Sequence, residues 1–311
     1  MSIIVSGSLA YDRIMNFPGL FKDNILPEKI HILNVSFTVS DLRQNFGGTA
    51  GNIAYNLALM GERPIVASAA GNDFSPYKKW LQKSGVITNF IKIAKNLPTA
   101  CANIITDMSD NQITGFYGGA MFVKAGKIPT KILKKTTIAI VAPGNINDMA
   151  DYSSQFRQAR IPYIFDPGQA IPALSGRILR QCASGAKIFI SNDYELSLVL
   201  KKTGWTKKQL LDKIEILVTT FGDQGSVFET RGKKIYIPIA KPKKILDPTG
   251  AGDAYRSGLI KGLIKKYPLA KIGRLAALVA VYTVEAYGTQ THKFSWKSLS
   301  ERYRDNFKEK L

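Results

Sequence analysis

The spacing of apolar residues changes character along this chain. A short apolar run over 2–8 closes on Gly7-Ser8 and leads to Asp12. From 15 to 45 the pattern turns to alternation, clearest over 30–39, where every second side chain is set to face inward. Period two marks half-exposed strands. A second alternating piece covers 100–117, with the turn-forming stretch 107–111 as a hairpin. The two pieces are predicted to pair into a small sheet standing off the main body. Elsewhere the apolar runs are continuous, at 64–70, 138–142, 163–165, 187–191 and 214–220. Amphipathic helices over 52–60, 150–160, 195–201 and 207–213 lie between them. Continuous runs separated by crossover helices read as buried parallel strands. A hairpin is expected over 226–229 and 234–238, and the chain from Ala254 onward reads as helical. No internal repeat, low-complexity tract or linker interrupts it. The expected architecture is one α/β domain over 1–311. It comprises a doubly wound, mostly parallel sheet flanked by helices, with a β lid from about 13–45 and 99–118.

Composition narrows this little. Apolar residues make up 45% and charged residues 21%, as in ordinary globular proteins. No apolar run approaches the roughly 18 residues of a membrane span. The chain opens directly into Ile3-Ile4-Val5 with no basic leader, so a cytoplasmic protein is expected. Cys101 and Cys182 form no CxxC pair and read as reduced core residues. His31 and His292 cannot alone build a transition-metal site. The formal charge of +20, from 43 basic and 23 acidic residues, is the outlier. Its lysines are spread over 124–135, 201–208, 233–244 and 261–271, with no arginine cluster interleaved with aromatics. That favours solvated lysine faces over a nucleic-acid footprint, and the same field suits polyphosphate substrates.

The chemistry concentrates in Asp247-Pro248-Thr249-Gly250-Ala251-Gly252-Asp253, immediately before a helix start. Small residues allow close backbone approach, and the free amides of a helix N-terminus stabilise anions. A carboxylate inside such a site would repel a merely bound phosphate. Asp253 is therefore read as a base that takes a hydroxyl proton while the backbone holds developing charge, which is a kinase arrangement. A capped helix after a glycine turn is the plainer alternative.

Three further strings bear on ligands. Phe46-Gly47-Gly48-Thr49-Ala50-Gly51-Asn52 offers bare backbone and, in Asn52, both a donor and an acceptor for vicinal hydroxyls. In Ser191-Asn192-Asp193-Tyr194-Glu195 two oxygen-bearing side chains fall one helical turn apart. This spacing suits a hydrated Mg²⁺ bridging phosphates and equally a capping box. Thr219-Thr220-Phe221-Gly222-Asp223-Gln224-Gly225 would by itself pass as a hairpin turn. Neither GxxxxGK[ST] nor a GxGxxG after the first strand occurs, which disfavours P-loop and dinucleotide sites.

Taken together these strings resemble the signatures of the ribokinase-like (PfkB) family of carbohydrate and nucleoside kinases, which phosphorylate a primary alcohol with ATP and Mg²⁺. The resemblance implies a ribokinase-like fold, with Asp253 as catalytic base and Gly250, Ala251 and Gly252 as the anion hole. It implies Gly47, Gly48 and Asn52 against the sugar, and Asp12 on two ribose hydroxyls. Thr220, Gly222 and Gly225 would hold ATP, and Glu195 a Mg²⁺ through water. A monovalent cation and a homodimer formed through the lids belong to the same implication.

Within the family the chain is most similar to bacterial adenosine kinases of the mycobacterial type. The similar stretches include Gly7-Ser8-Leu9-Ala10-Tyr11-Asp12, Phe116-Tyr117-Gly118-Gly119-Ala120-Met121, Asp166-Pro167-Gly168-Gln169 and Val284-Glu285-Ala286-Tyr287-Gly288-Thr289-Gln290. That similarity adds Ser8, Ser36 and Met121 to the nucleoside contacts, stacks Phe116 on the purine, and places Gln169 and Asn192 towards ATP. Adenosine is the implied acceptor, with a ribose- or fructose-type sugar as the alternative and a non-enzymatic basic binding protein as a third reading. Two positions depart from the pattern. Ala102 stands where relatives supply a second aromatic wall, and Ala170 follows Gln169 where they carry a second Gln.

Overall fold

The computed structural model describes residues 2–311. Its main sheet grows outwards from the first strand. β1 (Ser2–Ser6) pairs on one side with β4 (Pro64–Gly71), which carries β5 (Ile87–Ala94) at the edge. On the other side β1 is followed by β8 (Thr136–Val141), β9 (Tyr163–Phe165), β10 (Ile188–Asn192) and β11 (Ile216–Thr220). These seven strands are parallel. The hairpin β12 (Ser226–Glu229) and β13 (Lys234–Ile237) then adds two antiparallel strands at the far edge.

The continuous apolar runs have the cause expected of them, since the parallel strands inside the edge strand β5 are covered on both faces. In β1 alternate side chains enter opposite cores, Ile3 and Val5 into one and Ile4 into the other. The first core is closed by α1 (Thr49–Leu59), α2 (Ser75–Lys83), α8 (Ala251–Ile264), α9 (Leu269–Val284) and α10 (Trp296–Phe307). The second lies under α3 (Thr130–Leu133), α4 (Ile146–Gln158), α5 (Gly176–Ala183), α6 (Asp193–Thr203) and α7 (Lys207–Leu211).

The lid is a separate four-stranded sheet, in the order β3 (Asp41–Gly47), β2 (Ala10–Asn16), β6 (Ala100–Thr106), β7 (Gln112–Tyr117). β2 and β6 run parallel and the outer pairs antiparallel. The predicted hairpin turn is present. Asp107 accepts the backbone amides of Ser109 and Asn111 on Oδ1, each at 2.9 Å.

One predicted strand is not. Residues 30–39 form no ladder: Pro27–Ile32 is a short 3₁₀ helix and the following stretch is an irregular strap. Ile30 and Ile32, expected to face inward, are exposed. Alternating burial is realised only over 35–39, where Val35, Phe37 and Val39 are half-buried between exposed neighbours. It records one-sided packing of an extended segment, with Phe37 lying 4.8 Å from Phe17 and 5.0 Å from Phe21 between ring centroids. Period two reports facing, and a hydrogen-bonding partner is a separate condition. Several helices also start earlier than the apolar pattern indicates. α1 begins at Thr49 because the Ser8 hydroxyl, from the connection between β1 and β2, accepts the Thr49 amide at 3.0 Å. α4 begins at Ile146 because Asn145 caps the amides of Asn147 and Asp148.

Candidate active site

The chain turns outward from β1 to β4 on one side and to β8 on the other, and ligands of open parallel sheets settle beyond the strand C-termini at such a switch point. A cleft of about 870 Å³ opens there, between the strand ends and the lid. Its walls bring together Ser8, Asp12, Gly48, Asn52, Phe116, Met121, Gln169, Asn192, Glu195, Thr220, Gly250, Gly252 and Asp253, residues drawn from nearly every segment of the sequence. Five of the predicted residues do not line it. Ser36 is exposed on the lid strap. Gly222 and Gly225 shape the turn between β11 and β12. Gly47 and Ala251 contribute from behind the wall, as described next.

α8 supplies the floor. Its N-cap is Gly250 at φ +79°, a left-handed conformation that glycine adopts without strain, and a Cβ there would sit 2.8 Å from Cγ2 of Thr289. No side chain caps this helix. The Ala251 amide donates back to the Pro248 carbonyl at 3.2 Å, which leaves the first-turn amides of Gly252 and Asp253 to face an anion. The unpaired first-turn amides are thus those of Gly252 and Asp253, one residue later than the Gly250–Gly252 stretch singled out in the sequence.

Asp253 stands in that first turn. Asn52 Nδ2 donates to its Oδ2 at 2.9 Å, and Oδ1 has no protein donor. Burial pushes its carboxyl up to about 7, against the opposing effects of the Asn52 hydrogen bond and the Arg256 guanidinium. Asp12, from β2 of the lid, is likewise lifted to about 6 by burial and by the neighbouring Asp247 charge. No protein group among the described residues donates to the Asp12 carboxylate, so its acceptor capacity remains for a ligand. Gly47, adjacent in the lid, accepts the Tyr77 hydroxyl through its carbonyl at 2.8 Å. The Ser8 hydroxyl, as noted, is occupied at the start of α1.

Arg256 was not anticipated from the sequence. It is almost wholly buried one turn beyond Asp253 and grips Asp166 through both carboxylate oxygens, at 2.6 and 3.0 Å. It also donates to the Gly252 carbonyl at 3.0 Å. The available signal was an arginine inside a helix whose neighbours from Ala254 to Gly262 are buried throughout. A charge in such a position needs a partner. Phe122 was missed as well. It lies on the cleft wall, and its ring packs over Gly118 at the end of the lid strand β7.

At the opposite end of the cleft Asn192 and Glu195 form the complete capping box. The Glu195 amide donates to Asn192 Oδ1 at 2.7 Å, and the Asn192 amide donates to Glu195 Oε2 at 2.9 Å. No group of three or more His, Cys, Asp or Glu among the described residues is arranged to hold a metal ion. Glu195, with only Oε2 engaged in the capping box, fits Mg²⁺, which needs just one or two carboxylates when substrate phosphates complete its shell. Glu195 would serve it through its remaining oxygen. No helix among the described residues is long and apolar enough to cross a membrane.

Comparison with known proteins gives a consistent result. The profile of the pfkB family carbohydrate kinases matches residues 7–296. The nucleoside kinase of Methanocaldococcus jannaschii is 32% identical over 283 residues, 88% of this chain and 91% of that protein. Its crystal structure, described as an archaeal member of the ribokinase family, superposes with a TM-score of 0.86 over 98% of both chains at 29% identity. The Burkholderia thailandensis nucleoside kinase, solved in complex with inosine, is 34% identical and superposes with a TM-score of 0.85 over 99% of each chain. The fold is ribokinase-like, and the chain belongs to the pfkB family of carbohydrate kinases.

Proposed function

We propose that this ATP-dependent kinase of the pfkB family phosphorylates the 5′-hydroxyl of a purine ribonucleoside, with adenosine as the first acceptor to test. The observation that carries the chemistry is Asp253 in the first turn of an uncapped helix, half-buried, with one oxygen held by Asn52 and the other directed to the cleft. Asp253 takes the proton of the acceptor hydroxyl as that oxygen bonds to the γ-phosphorus. The bond from the γ-phosphorus to the bridging oxygen breaks, and ADP leaves with its electron pair. The amides of Gly252 and Asp253 hold the charge that develops on the phosphoryl oxygens. A carboxyl near 7 suits a base at neutral pH. Mg²⁺ bound with ATP would neutralise phosphate charge. Glu195, Asn192, Gln169 and Thr220 line the end of the cleft where the nucleotide would lie.

Asp12, half-buried and free of protein donors, is suited to two ribose hydroxyls, and Phe116 and Phe122 give the same cleft an aromatic end. The neighbour solved with inosine supports a nucleoside over a free sugar. Offering adenosine, inosine, cytidine, ribose and fructose with ATP and Mg²⁺ tests the reading. Fastest turnover on a purine nucleoside is expected, and turnover on ribose or fructose alone would replace it with the sugar-kinase reading. Removal of Mg²⁺ by EDTA is expected to stop the reaction. The lid exposes Leu42, Met108 and Ile113, which supports a dimer joined through the lids. Sedimentation of the wild type against a Leu42→Glu variant measures it.

A further inference from the structure

Behind Asp253 runs a chain of buried amides whose polarity is fixed at its far end. It starts at Trp80 on α2, whose indole N–H can only donate. Trp80 Nε1 donates to Gln290 Oε1 at 3.1 Å. Gln290 must therefore turn its NH₂ the other way, and Nε2 donates to Asn52 Oδ1 at 3.0 Å and to the Tyr77 hydroxyl at 2.5 Å. With Oδ1 so occupied, Asn52 presents Nδ2 to Asp253. Tyr77 in turn donates to the Gly47 carbonyl, beside Asp12 in the lid.

Asn52, Tyr77 and Gln290 are all at least 95% buried, so water cannot substitute for a misdirected partner. The packing makes room for this chain specifically. A Cβ on Gly51 would lie 1.8 Å from the Tyr77 hydroxyl oxygen and 3.0 Å from Gln290 Nε2.

Building on Asp253 as the base, we propose that Gln290, oriented by Trp80, is a positioning residue that forces Asn52 to offer Asp253 a donor rather than an acceptor. A carboxylate facing Asn52 Oδ1 would be repelled. The polarity set at the indole therefore decides whether Asp253 is held as a usable anion. The side branch to Tyr77 and Gly47 ties the same amide to the lid wall that carries Asp12.

The other charged and titratable groups around Asp253 lie elsewhere. They are Arg256 on its own helix, Asp166 after β9, Asp12 on β2 and the Tyr77 hydroxyl on α2. Trp80→Phe keeps an aromatic ring and alters none of these charges.

The test reads the titration of the Asp253 carboxyl by ¹³C NMR, with the signal assigned by its loss in Asp253→Asn. Asn52→Leu removes the donor outright and should raise the midpoint by about one to two pH units, the worth of one hydrogen bond to a charged group. Trp80→Phe should raise it by about half a unit or more, in the same direction, with the acid limb of kcat/KM moving alongside. In the Asn52→Leu background Trp80→Phe should add nothing, because both act through one contact. A midpoint unmoved by Trp80→Phe, or a shift that persists without Asn52, overturns the proposal. If Asn52→Leu does not fold, Gln290→Met takes its place in the cycle under the same criteria. Failure of the base assignment appears separately, as undiminished activity in Asp253→Asn, since the titration does not depend on turnover.

Discussion

The floor of the cleft and its lid are built on opposite principles. On the floor the polar side chains near the reacting end are tied to one another. Asp253 is held by Asn52, Asn52 by Gln290, Gln290 by Trp80, and Asp166 by Arg256 through two bonds. The helix that carries Asp253 is buried from Ala254 to Gly262. In the lid all six residues of β7 are exposed, Phe116 is 55% exposed, and Asp12 has no protein donor. The floor has its geometry before any ligand arrives, as electrostatic stabilisation of a transition state requires. The lid leaves its apolar area and its carboxylate unsatisfied, and a bound acceptor would complete both. Changes to the floor should therefore act on kcat and stability, and changes to the lid on acceptor KM.

The largest effect is expected from Asp253→Asn, which should lower kcat by about 10²–10⁴, the usual contribution of a general base. Activity within a few-fold of wild type would remove Asp253 from the chemistry. Two pH effects follow from its raised carboxyl. In the wild type kcat/KM should fall about tenfold per unit below about 7, where the base is protonated. The stability effect runs the other way. The folded state keeps a proton that the unfolded chain loses near 4, so the unliganded protein loses stability as pH rises from about 4 to 7. Asp253→Asn ends that penalty, and its Tm at pH 8 should exceed the wild type's by a few degrees. An inactive variant with a lowered Tm would indicate damage to the fold instead.

Arg256→Met tests the floor as structure. It leaves Asp166 buried and unpaired, and such a break typically costs about 3–5 kcal/mol. The double variant Arg256→Met/Asp166→Asn should recover much of that loss, measured by chemical denaturation. Equal instability of the single and double variants would mean that the arginine acts through packing and the Gly252 carbonyl alone.

The same division governs what the sequence discloses. Strands covered on both faces announce themselves, and β9 lies at 163–165 as its apolar run indicates. The helix over 52–60 is legible because its apolar residues recur at helical spacing, yet its start at Thr49 depends on Ser8, 41 positions away. The motif around Asp253 is legible because its residues are contiguous. The supports behind it are not, since Trp80, Gln290 and Asn52 are separated by as many as 238 positions and none is chemically distinctive alone. Arg256 announces itself only as a charge in an apolar helix, which points to a partner without naming Asp166. In the lid the reverse failure occurs, where the alternation holds over 35–39 but has no neighbouring strand, and Ile30 and Ile32 are exposed.

Asp12→Ala sharpens the comparison from the lid side. If Asp12 grips two ribose hydroxyls, the loss is about 1.5–3 kcal/mol per charged hydrogen bond. Acceptor KM should rise at least tenfold, with ATP KM little changed. A 2′-deoxynucleoside should be similarly poor for the wild type and lose less than the ribonucleoside in the variant. Equal losses for both acceptors would place the ribose away from Asp12.

The smallest expected effect concerns the aromatic end of the cleft. Ala102, at the position of an expected second ring, lies directly across the β6–β7 ladder from Phe116 and across the β2–β6 ladder from Asp12. Cross-strand partners share a face with their Cβ atoms about 4.5–5.5 Å apart. A ring introduced at 102 would therefore lie beside Phe116, whereas a base held between two rings needs them about 7 Å apart, twice the ordinary contact distance between carbon atoms. Phe122 is 72% exposed on the wall of the same cleft and is the available second ring. Phe122→Ala should weaken purine nucleoside binding by about 0.5–1.5 kcal/mol, the added worth of an aromatic contact. Ala102→Phe should change it by less than that, with ribose binding unaffected by either variant. Calorimetric titration of both with adenosine and ribose decides the point. A gain of about 1 kcal/mol in Ala102→Phe together with no loss in Phe122→Ala would return the second wall to position 102 and leave Phe122 as an exposed lid residue. Loss of ribose binding in Phe122→Ala would instead place that ring over the sugar, and the purine end of the cleft would have to be sought elsewhere.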